Sequence, residues 1–334
     1  MKVLWNKVSH LRGPLLALLL SMLPPSTSIV LAQEYPTRPI TMIIPIVAGS
    51  GVDVLGRLLA DKMKAKWGQP VVVENVPTAA GTVGVGQLTQ AVPDGYTIGI
   101  GDQTTHVVSS LVTPVRYNVL NDLDPIALMT MSPVALIGRK TLQASDMKQL
   151  IGWLRENPDK GTAASFGQGS GPNIISATFQ KQTGTHLRMV TYRGLALAFP
   201  DLISGQIDLM FVEQSNMTSH LAAGTIKAFA IMDKNRSAAV PEVPTIEEAG
   251  GPPLHIVTWR GMWVPKGTPA PVSSKLVAAV TEALSDPTVR MKIAGIGQEI
   301  VSPGQQTPQG LAAHHKAEIE KWTPMVKAAN IKAE

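Results

Sequence analysis

Two short loops of small and polar residues follow apolar runs in this sequence, and both have residue types that bind anions. The first loop contains Ala48, Gly49 and Ser50, and Asp53 follows Ser50 at the spacing of a capping box, which predicts a helix start. A helix start leaves amides partly free at the positive end of the helix dipole, here those of Gly49, Gly51 and Val52. Small residues let another molecule approach this backbone closely. The loop is either an anion site or a structural turn, since Gly-rich turns are common.

The second loop repeats this order about a hundred residues later. The segment "GTAASFGQGSGPNIISATFQKQTG" reads as strand, small polar loop and helix, with Pro172 in the first turn and Gly184 at the end. Its candidate hydroxyl and amide donors are Ser165, Gly167, Gly169, Ser170 and Gly171. If the two loops face each other, they form a clamp for an anion.

Motifs for other chemistries are missing from the sequence. Neither loop has the Lys-Ser/Thr pair of a Walker loop, and "GQGSGP" has Pro172 where a dinucleotide fingerprint needs glycine. The chain has no G-x-S-x-G elbow, no H-E-x-x-H and no cysteine, so neither a catalytic nucleophile nor a metal or cofactor site is predicted. The adjacent His314 and His315 diverge on a helix, and we expect them on a solvated face.

The elements that position the loops follow from hydrophobic periodicity. Ile40 to Ile46 is a short apolar run typical of a buried strand, and apolar residues from Val52 to Met63 recur at helical spacing until Trp67-Gly68. Strand-like and helix-like segments alternate along the rest of the chain, which predicts parallel α/β layers. With 334 residues, 44% hydrophobic and 16% charged, the chain is long enough for two lobes.

The first 32 residues have the pattern of a secretory signal peptide. Three cations precede an apolar run that is too short and too rich in proline to span a bilayer, and "VLA" supplies small residues at a cleavage site. An uncleaved membrane anchor is the alternative. Removing residues 1–32 lowers the net charge from +5 to +2, because it takes three cations and no acids. Scattered charges of this size argue against nucleic-acid binding.

Six separated motifs resemble the periplasmic solute-binding proteins of tripartite tricarboxylate transporters, the Bug or TctC-like family. They occur in the family's order along the mature chain: "YPTRPITMIIPIVAGSGVDVLGRLLA", "GQPVVVENVPTAAGTVG", "PDGYTIGIG", "SGQIDLMF", "VPTIEEAG" and "WRGMWVPKGTP". The resemblance implies an α/β, two-lobe periplasmic-binding-protein fold of type II-like topology, with a ligand cleft between lobes joined by crossing strands. We expect one lobe from residues 35–138 plus 230–334 and the other from 139–229. The expected crossing strands are "ALMTMSPVALIGRK" and "IKAFAIMDK".

The resemblance also implies that backbone amides at the two loops hold a carboxylate. In relatives the first loop carries an aromatic residue and a proline where this chain has Ile46 and Val47, so an aromatic wall is missing. Tyr192-Arg193-Gly194 stands where relatives have Tyr-Lys-Gly, and a guanidinium grips a carboxylate bidentately. Glu213 replaces a common aspartate and is expected near the cleft, as an acceptor for a ligand hydroxyl, amine or water or as part of a buried network. Further candidates with the same two interpretations are Thr104, Thr105 and His106.

These observations predict a carrier and not an enzyme. The expected protein is a periplasmic monomer that binds a small organic carboxylate and delivers it to the large and small membrane subunits of a transporter. One alternative is an exported hydrolase or isomerase whose site is built on Glu213, His106 or Asp53, but a nucleophile–base motif is missing. Another is an orphan binder or sensor without a permease.

Overall fold

A computed structural model describes residues 35–167 and 169–329. The strands in these ranges are β1 (Ile40–Ile44), β2 (Val71–Asn75), β3 (Thr97–Asp102), β4 (Leu123–Arg139), β5 (Thr162–Ser165), β6 (Arg188–Thr191), β7 (Leu209–Glu213), β8 (Ile226–Ile231), β9 (Val257–Pro265) and β10 (Glu299–Ile300). The α-helices are α1 (Gly51–Trp67), α2 (Thr82–Gln90), α3 (Ser109–Val112), α4 (Met147–Glu156), α5 (Gly171–Thr183), α6 (Leu195–Ser204), α7 (Gln214–Ala222), α8 (Ala270–Ser285), α9 (Pro287–Gly295) and α10 (Pro308–Ala328). The predicted signal peptide, residues 1–32, lies outside the described residues.

The strands form a mixed sheet, in the order β2-β1-β3-β9-β4-β7-β5-β6, with β8 and β10 also paired to β4. The predicted parallel pairing holds at both sides: β1 is parallel to β2 and β3, and β5 is parallel to β6 and β7. It is wrong at the centre, where β9 is antiparallel to β3 and β4, and β4 is antiparallel to β7, β8 and β10. Alternation of strands and helices along the chain does not specify the direction of a long-range pair, which depends on how the chain returns.

The 17-residue strand β4 connects the two sides of the sheet. Its residues from Leu123 to Pro133 pair with β9, and those from Val134 to Arg139 pair with β7 and β8. The chain returns beside the same point, because the Met232 amide donates to the Val134 carbonyl and the Ile256 amide donates to the Met232 carbonyl. The first expected crossing strand therefore coincides with β4. The second coincides with β8, which pairs with the second part of β4, and the hinge role of both strands stays a prediction.

The first strand–loop–helix unit forms as the sequence predicts. Four of the five β1 residues are buried, and α1 ends at Gly68, whose φ of +67° is the left-handed conformation that glycine adopts without strain. In the second unit, β5 is fully buried and α5 likewise ends at a left-handed glycine, Gly184. The apolar face of each helix packs against the sheet, so the strands hold the two loops at fixed positions.

The C-terminal helix α10 contributes to a buried aromatic cluster, contrary to the prediction for its two histidines. His315 is 2% exposed, lies 5.5 Å from the Trp263 ring, and its Nε2 donates to the His106 carbonyl at 2.8 Å. His314 packs edge-on against Trp259 at 4.9 Å. The expectation of a solvated face is therefore wrong, because helix spacing shows that the two rings diverge but not which of them meets a neighbouring strand.

Candidate functional site

The start of α1 is the best-defined local feature near a cavity. Ser50 is its N-cap, and the Ser50 hydroxyl accepts a hydrogen bond from the Asp53 amide at 3.2 Å, as a capping box requires. The Asp53 carboxylate reaches back to the Gly49 amide at 2.8 Å. Gly49, expected to be partly free, is therefore occupied. The amides of Gly51 and Val52 have no hydrogen-bond partner among the described residues, so two donors remain at the positive end of the helix.

Asp53 lies beneath this loop and stabilises it. Its side chain is buried and accepts hydrogen bonds from Arg57 Nε at 2.9 Å and from Asn75 Nδ2 at 2.9 Å, in addition to Gly49. Burial raises the pKa of Asp53, but the hydrogen bonds from Arg57, Gly49 and Asn75 bring it below its ordinary value. The carboxylate is fully engaged by this network, and it does not line the cavity described next.

A cavity of about 540 Å³ opens beside the start of α1. It is lined by residues from six places in the chain: Ile46, Gly49–Val52 and Val54; Asp102 at the end of β3; Leu195 at the start of α6; Glu213 at the end of β7, with Ser215 and Asn216 after it; Arg260 on β9; and Gly295, Ile296 and Gln298 before β10. The two free amides belong to residues of this wall. A cavity of this size accommodates a small organic molecule.

Arg260 carries a positive charge into this wall from an otherwise apolar strand. Its side chain is 3% exposed, and its Nη2 lies 2.5 Å from Glu213 Oε2. Nη1 donates to the Thr258 hydroxyl at 3.3 Å, whereas Nε is buried and has no hydrogen-bond partner among the described residues. Asp102 is the cross-strand neighbour of Arg260. Burial raises the pKa of Asp102 above its ordinary value, and the nearby Glu213 raises it further. Arg260 and the Thr105 amide oppose this rise.

A second cavity, of about 170 Å³, shares part of this wall. Leu195, Glu213 and Asn216 line both cavities. The second cavity also touches Thr104 and the start of α5, at Gly171 and Pro172. The two predicted loops therefore reach neighbouring cavities, with Glu213 between them.

Other predicted residues of the second loop and of the strand after it lie outside both linings. Ser170 Oγ donates to the Gly167 carbonyl at 2.7 Å, and Ser165 Oγ donates to the same carbonyl at 3.4 Å, so these hydroxyls hold the loop itself. A Cβ atom on Gly169 would lie 3.0 Å from Val112 Cγ2. Ala48, in the first loop, is exposed and is not part of either lining.

Thr105 contacts Asp102, a lining residue of the 540 Å³ cavity, and His106 contacts Thr105 and Trp263. The Thr105 amide donates to Asp102 Oδ1 at 3.0 Å, and its hydroxyl contacts His106 Nδ1 at 3.0 Å. His106 is 1% exposed and stacks on Trp263 with ring centroids 3.9 Å apart. Burial and the neighbouring His315 hold the pKa of His106 well below its usual range. Neither residue lines either of these two cavities.

Tyr192 and Arg193 precede Leu195, which lines both cavities, in the sequence. The Tyr192 hydroxyl donates to Asp201 Oδ2 at 2.7 Å, and burial together with this bond raises the pKa of Tyr192 to about 12. Arg193 is exposed, has no ion pair or hydrogen bond with any described residue, and is not part of either lining. The predicted contact of Arg193 with a ligand therefore stays a prediction.

Arg260, Asp102 and Gln298 are cavity residues that the sequence did not single out. The two tryptophans of the "WRGMW" motif, Trp259 and Trp263, are buried, and so is Arg260, which follows Trp259. A lone arginine in an apolar strand was the available signal, because a buried charge needs a partner. Gln298 had no comparable signal. It is bonded to the Thr130 hydroxyl at 2.7 Å, and its Nε2 lies 2.6 Å from where a Cβ atom on Gly51 would be.

The model of one protein family matches residues 55–331, and its description is tripartite tricarboxylate transporter family receptor. The chain belongs to this receptor family. The predicted family membership is confirmed, and with it the interpretation as a binding protein and not an enzyme.

Individual relatives cover nearly the whole receptor. A UPF0065 protein of Agrobacterium vitis, from the ttuE-ttuC' intergenic region, is 32% identical over 97% of this chain and 93% of its own length. The structure of the periplasmic binding protein BugD is similar with a TM-score of 0.77 and 32% identity, covering 90% of this chain and all of BugD. MatC of Rhodopseudomonas palustris, solved with bound malate, is similar with a TM-score of 0.77 and 31% identity, covering 87% of this chain and all of MatC. These matches confirm the predicted α/β, two-lobe periplasmic-binding-protein fold class.

In residues 35–167 and 169–329, the receptor has no helix whose length and hydropathy suit a transmembrane span.

Proposed function

We propose that this receptor captures a small organic carboxylate in the 540 Å³ cavity and delivers it to a tripartite tricarboxylate-type membrane transporter. The observation that carries the proposal is the convergence of two positive features on one cavity. These are the start of α1, with the free amides of Gly51 and Val52, and the buried guanidinium of Arg260. An anion that enters this cavity meets oriented donors without requiring them to reorganise.

The chemistry of the wall favours a carboxylate over a phosphate. Two free amides match the two oxygens of one carboxylate, and Gln298 Nε2 adds a third donor nearby. The first loop has no lysine or further glycine run with which to enclose a larger anion. The malate bound by MatC, which is 31% identical, supports the same class of ligand.

The two proposed lobes, residues 35–138 plus 230–334 and residues 139–229, both contribute to the cavity. The first contributes the α1 start, Asp102, Arg260 and Gln298, and the second contributes Leu195, Glu213, Ser215 and Asn216. A ligand that contacts both walls stabilises the arrangement in which they are close. Closure about the crossing at Val134 then presents a surface that the membrane partner distinguishes from the ligand-free form.

The proposed setting is the periplasm, reached through the signal peptide at residues 1–32. There the receptor acts as a monomer and passes its ligand to the large and small membrane subunits. The periplasmic binding protein BugD, which this chain resembles over 90% of its length, supports this location.

Thermal unfolding of the mature protein against a ligand panel tests the proposal. The panel contains mono-, di- and tricarboxylates, aromatic acids and amino acids, each with its neutral amide as the matched control. A ligand at about 100 times its Kd stabilises the folded state by about 2.7 kcal/mol, which raises Tm by a few degrees in a protein of this size. We expect an acid to raise Tm and its amide to leave Tm unchanged. A panel without any acid-specific rise, repeated by calorimetric titration, would contradict the proposed function.

A further inference from the structure

We infer that Glu213 is a specificity-determining residue, which selects a ligand bearing an amino or hydroxyl donor close to its carboxylate. The inference rests on the proposed function and deepens it, since it concerns the same cavity. The two walls of the cavity then bind different parts of the ligand. The α1 wall receives the carboxylate, and the wall that contains Glu213 receives the donor.

Glu213 presents an unused acceptor at the centre of the site. It ends β7, its side chain is 23% exposed, and it lines both cavities. Its Oε2 accepts from Arg260 Nη2 at 2.5 Å and from the Ser215 hydroxyl at 3.5 Å. Its Oε1 has no hydrogen-bond partner among the described residues. A carboxylate oxygen so placed requires a donor from water or from a ligand.

The charges around Glu213 keep it from serving a second carboxylate. Arg260 is the cation in contact with Glu213, and this guanidinium is already balanced by the Glu213 carboxylate. Asp102 adds another carboxyl group on the same wall, with Oδ1 bound by Thr105. Two carboxyl groups and one guanidinium make this wall rich in acceptors. A second anionic group placed here meets repulsion, whereas an ammonium or hydroxyl group meets free acceptors.

The α1 wall, by contrast, presents hydrogen-bond donors. Gly51 and Val52 offer donors only, and the place of a Cβ atom on Gly51 is 3.8 Å from Arg260 Nη2. The donor wall and the acceptor wall thus lie within one small molecule's length of each other. A carboxylate with a donor on a neighbouring carbon contacts both walls at once, whereas an unsubstituted acid leaves Glu213 Oε1 desolvated and unpaired. Sites with buried polar groups discriminate strongly against analogues that leave those groups unpaired.

The competing interpretation is that Glu213 and Arg260 form a structural ion pair between β7 and β9 and have no effect on ligand choice. The two interpretations differ in one measurable quantity. This is the affinity ratio between acids that share a carbon chain and differ only in a donor beside the carboxylate.

Calorimetric titration of the mature protein with matched triads measures this ratio. The triads are propionate, lactate and alanine; succinate, malate and aspartate; glutarate, 2-hydroxyglutarate and glutamate; and phenylacetate, mandelate and phenylglycine. In the triad that binds best, we expect the hydroxy or amino acid to bind at least about 10-fold more tightly than the unsubstituted acid. Tightest binding by the unsubstituted acid would overturn the inference and leave the proposed function intact. Absence of binding by all four triads would overturn the inference, and together with a flat ligand panel it would overturn the proposed function as well.

The variant Glu213→Gln tests whether this side chain causes the preference for substituted acids. It removes the charge and keeps an acceptor oxygen, so we expect the preference for an amino group to fall to within about 3-fold, while binding of the unsubstituted acid is retained or improved. Glu282→Gln, which removes a carboxylate from the exposed ion pair with Lys66, is the matched control and should keep the wild-type ratio. If Glu213→Gln does not fold, Glu213→Gln with Arg260→Met removes both charges together and gives the same comparison. An unchanged affinity ratio in a folded Glu213 variant would show that Glu213 has only a structural role and would overturn the inference.

Discussion

Arg260 Nη2 lies 2.5 Å from Glu213 Oε2, and this ion pair joins strands that are paired to different parts of β4. Arg260 is on β9, which pairs with the first part of β4, and Glu213 ends β7, which pairs with the second part. The contact spans 47 positions of sequence and forms part of the cavity wall. The same pair of side chains therefore links the two parts of the sheet and lines the cavity of the proposed ligand site.

The first prediction concerns the stability that Arg260 provides. Arg260→Met leaves Glu213 and the nearby Asp102 without their cation. We expect the free energy of unfolding to fall by about 3 kcal/mol, at the lower end for a buried pair because Glu213 is partly exposed. Urea unfolding measures this, and Arg260→Met with Glu213→Gln should recover most of the loss. Arg236→Met, which breaks an exposed pair with Glu248, is the control and should cost less than about 1 kcal/mol. Equal losses in the two single variants would contradict the assignment.

The second prediction separates binding from folding at Gly51. A Cβ atom there would meet Gln298 Nε2 at 2.6 Å and would cover the free amides of the α1 start. We expect Gly51→Ala to weaken carboxylate binding at least about 10-fold while changing stability by less than about 1 kcal/mol, because a helix start tolerates alanine. Titration calorimetry and urea unfolding measure the two effects. Gly152→Ala, where the new Cβ atom meets open space, should leave affinity unchanged. Wild-type affinity in Gly51→Ala would show that the α1 start does not contact the ligand.

The third prediction concerns acid stability through His315. Burial lowers the pKa of His315 to about 4, although its bond to the His106 carbonyl opposes the shift. His106 and His314 face it with lowered pKa values of their own, and Glu318 on α10 favours its charged form. Between pH 6.5 and pH 4 the unfolded chain binds a proton that the folded protein excludes, so stability falls as the pH falls through this window.

The lowering of the His315 pKa from 6.5 to about 4 corresponds to about 3 kcal/mol of this loss. Unfolding by urea at a series of pH values measures the slope. His315→Gln retains a donor for the His106 carbonyl and should flatten the slope, whereas His186→Gln, at an exposed histidine, should not. A slope that is the same in all three proteins would show that His315 does not contribute to the acid response.

The fourth prediction concerns Arg193, whose contact with a ligand the sequence resemblance suggests. In this structure its guanidinium is exposed and outside both linings. If the ligand is held in this arrangement, Arg193→Ala should leave ligand affinity within about 2-fold, because a solvated side chain that makes no contact contributes little binding energy. Titration with the best ligand of the panel provides the measurement. A loss of about 1.5–3 kcal/mol, typical of a hydrogen bond to a charged group, would show instead that closure of the cavity brings Arg193 onto the carboxylate.

Features that depend on neighbouring residues were predictable from the sequence. The strand from Ile40, the N-cap at Ser50 and the left-handed end at Gly68 are all determined within a few residues, by apolar runs, side-chain caps and the freedom of glycine. The six ordered motifs identified the receptor family, and the family determines the fold class. The expectation of a partly free Gly49 amide is wrong, because the spacing of a capping box does not say which amide its carboxylate reaches.

Features that join distant parts of the chain were decided by the tertiary structure alone. The antiparallel centre of the sheet, the burial of His315 against Trp263 and the pairing of Arg260 with Glu213 all depend on which strands become neighbours and in which register. No local pattern encodes that register, because periodicity shows which face of an element is apolar and not which partner covers it. The sequence therefore determined the family and the start of α1, while packing decided which charges the cavity presents to a ligand.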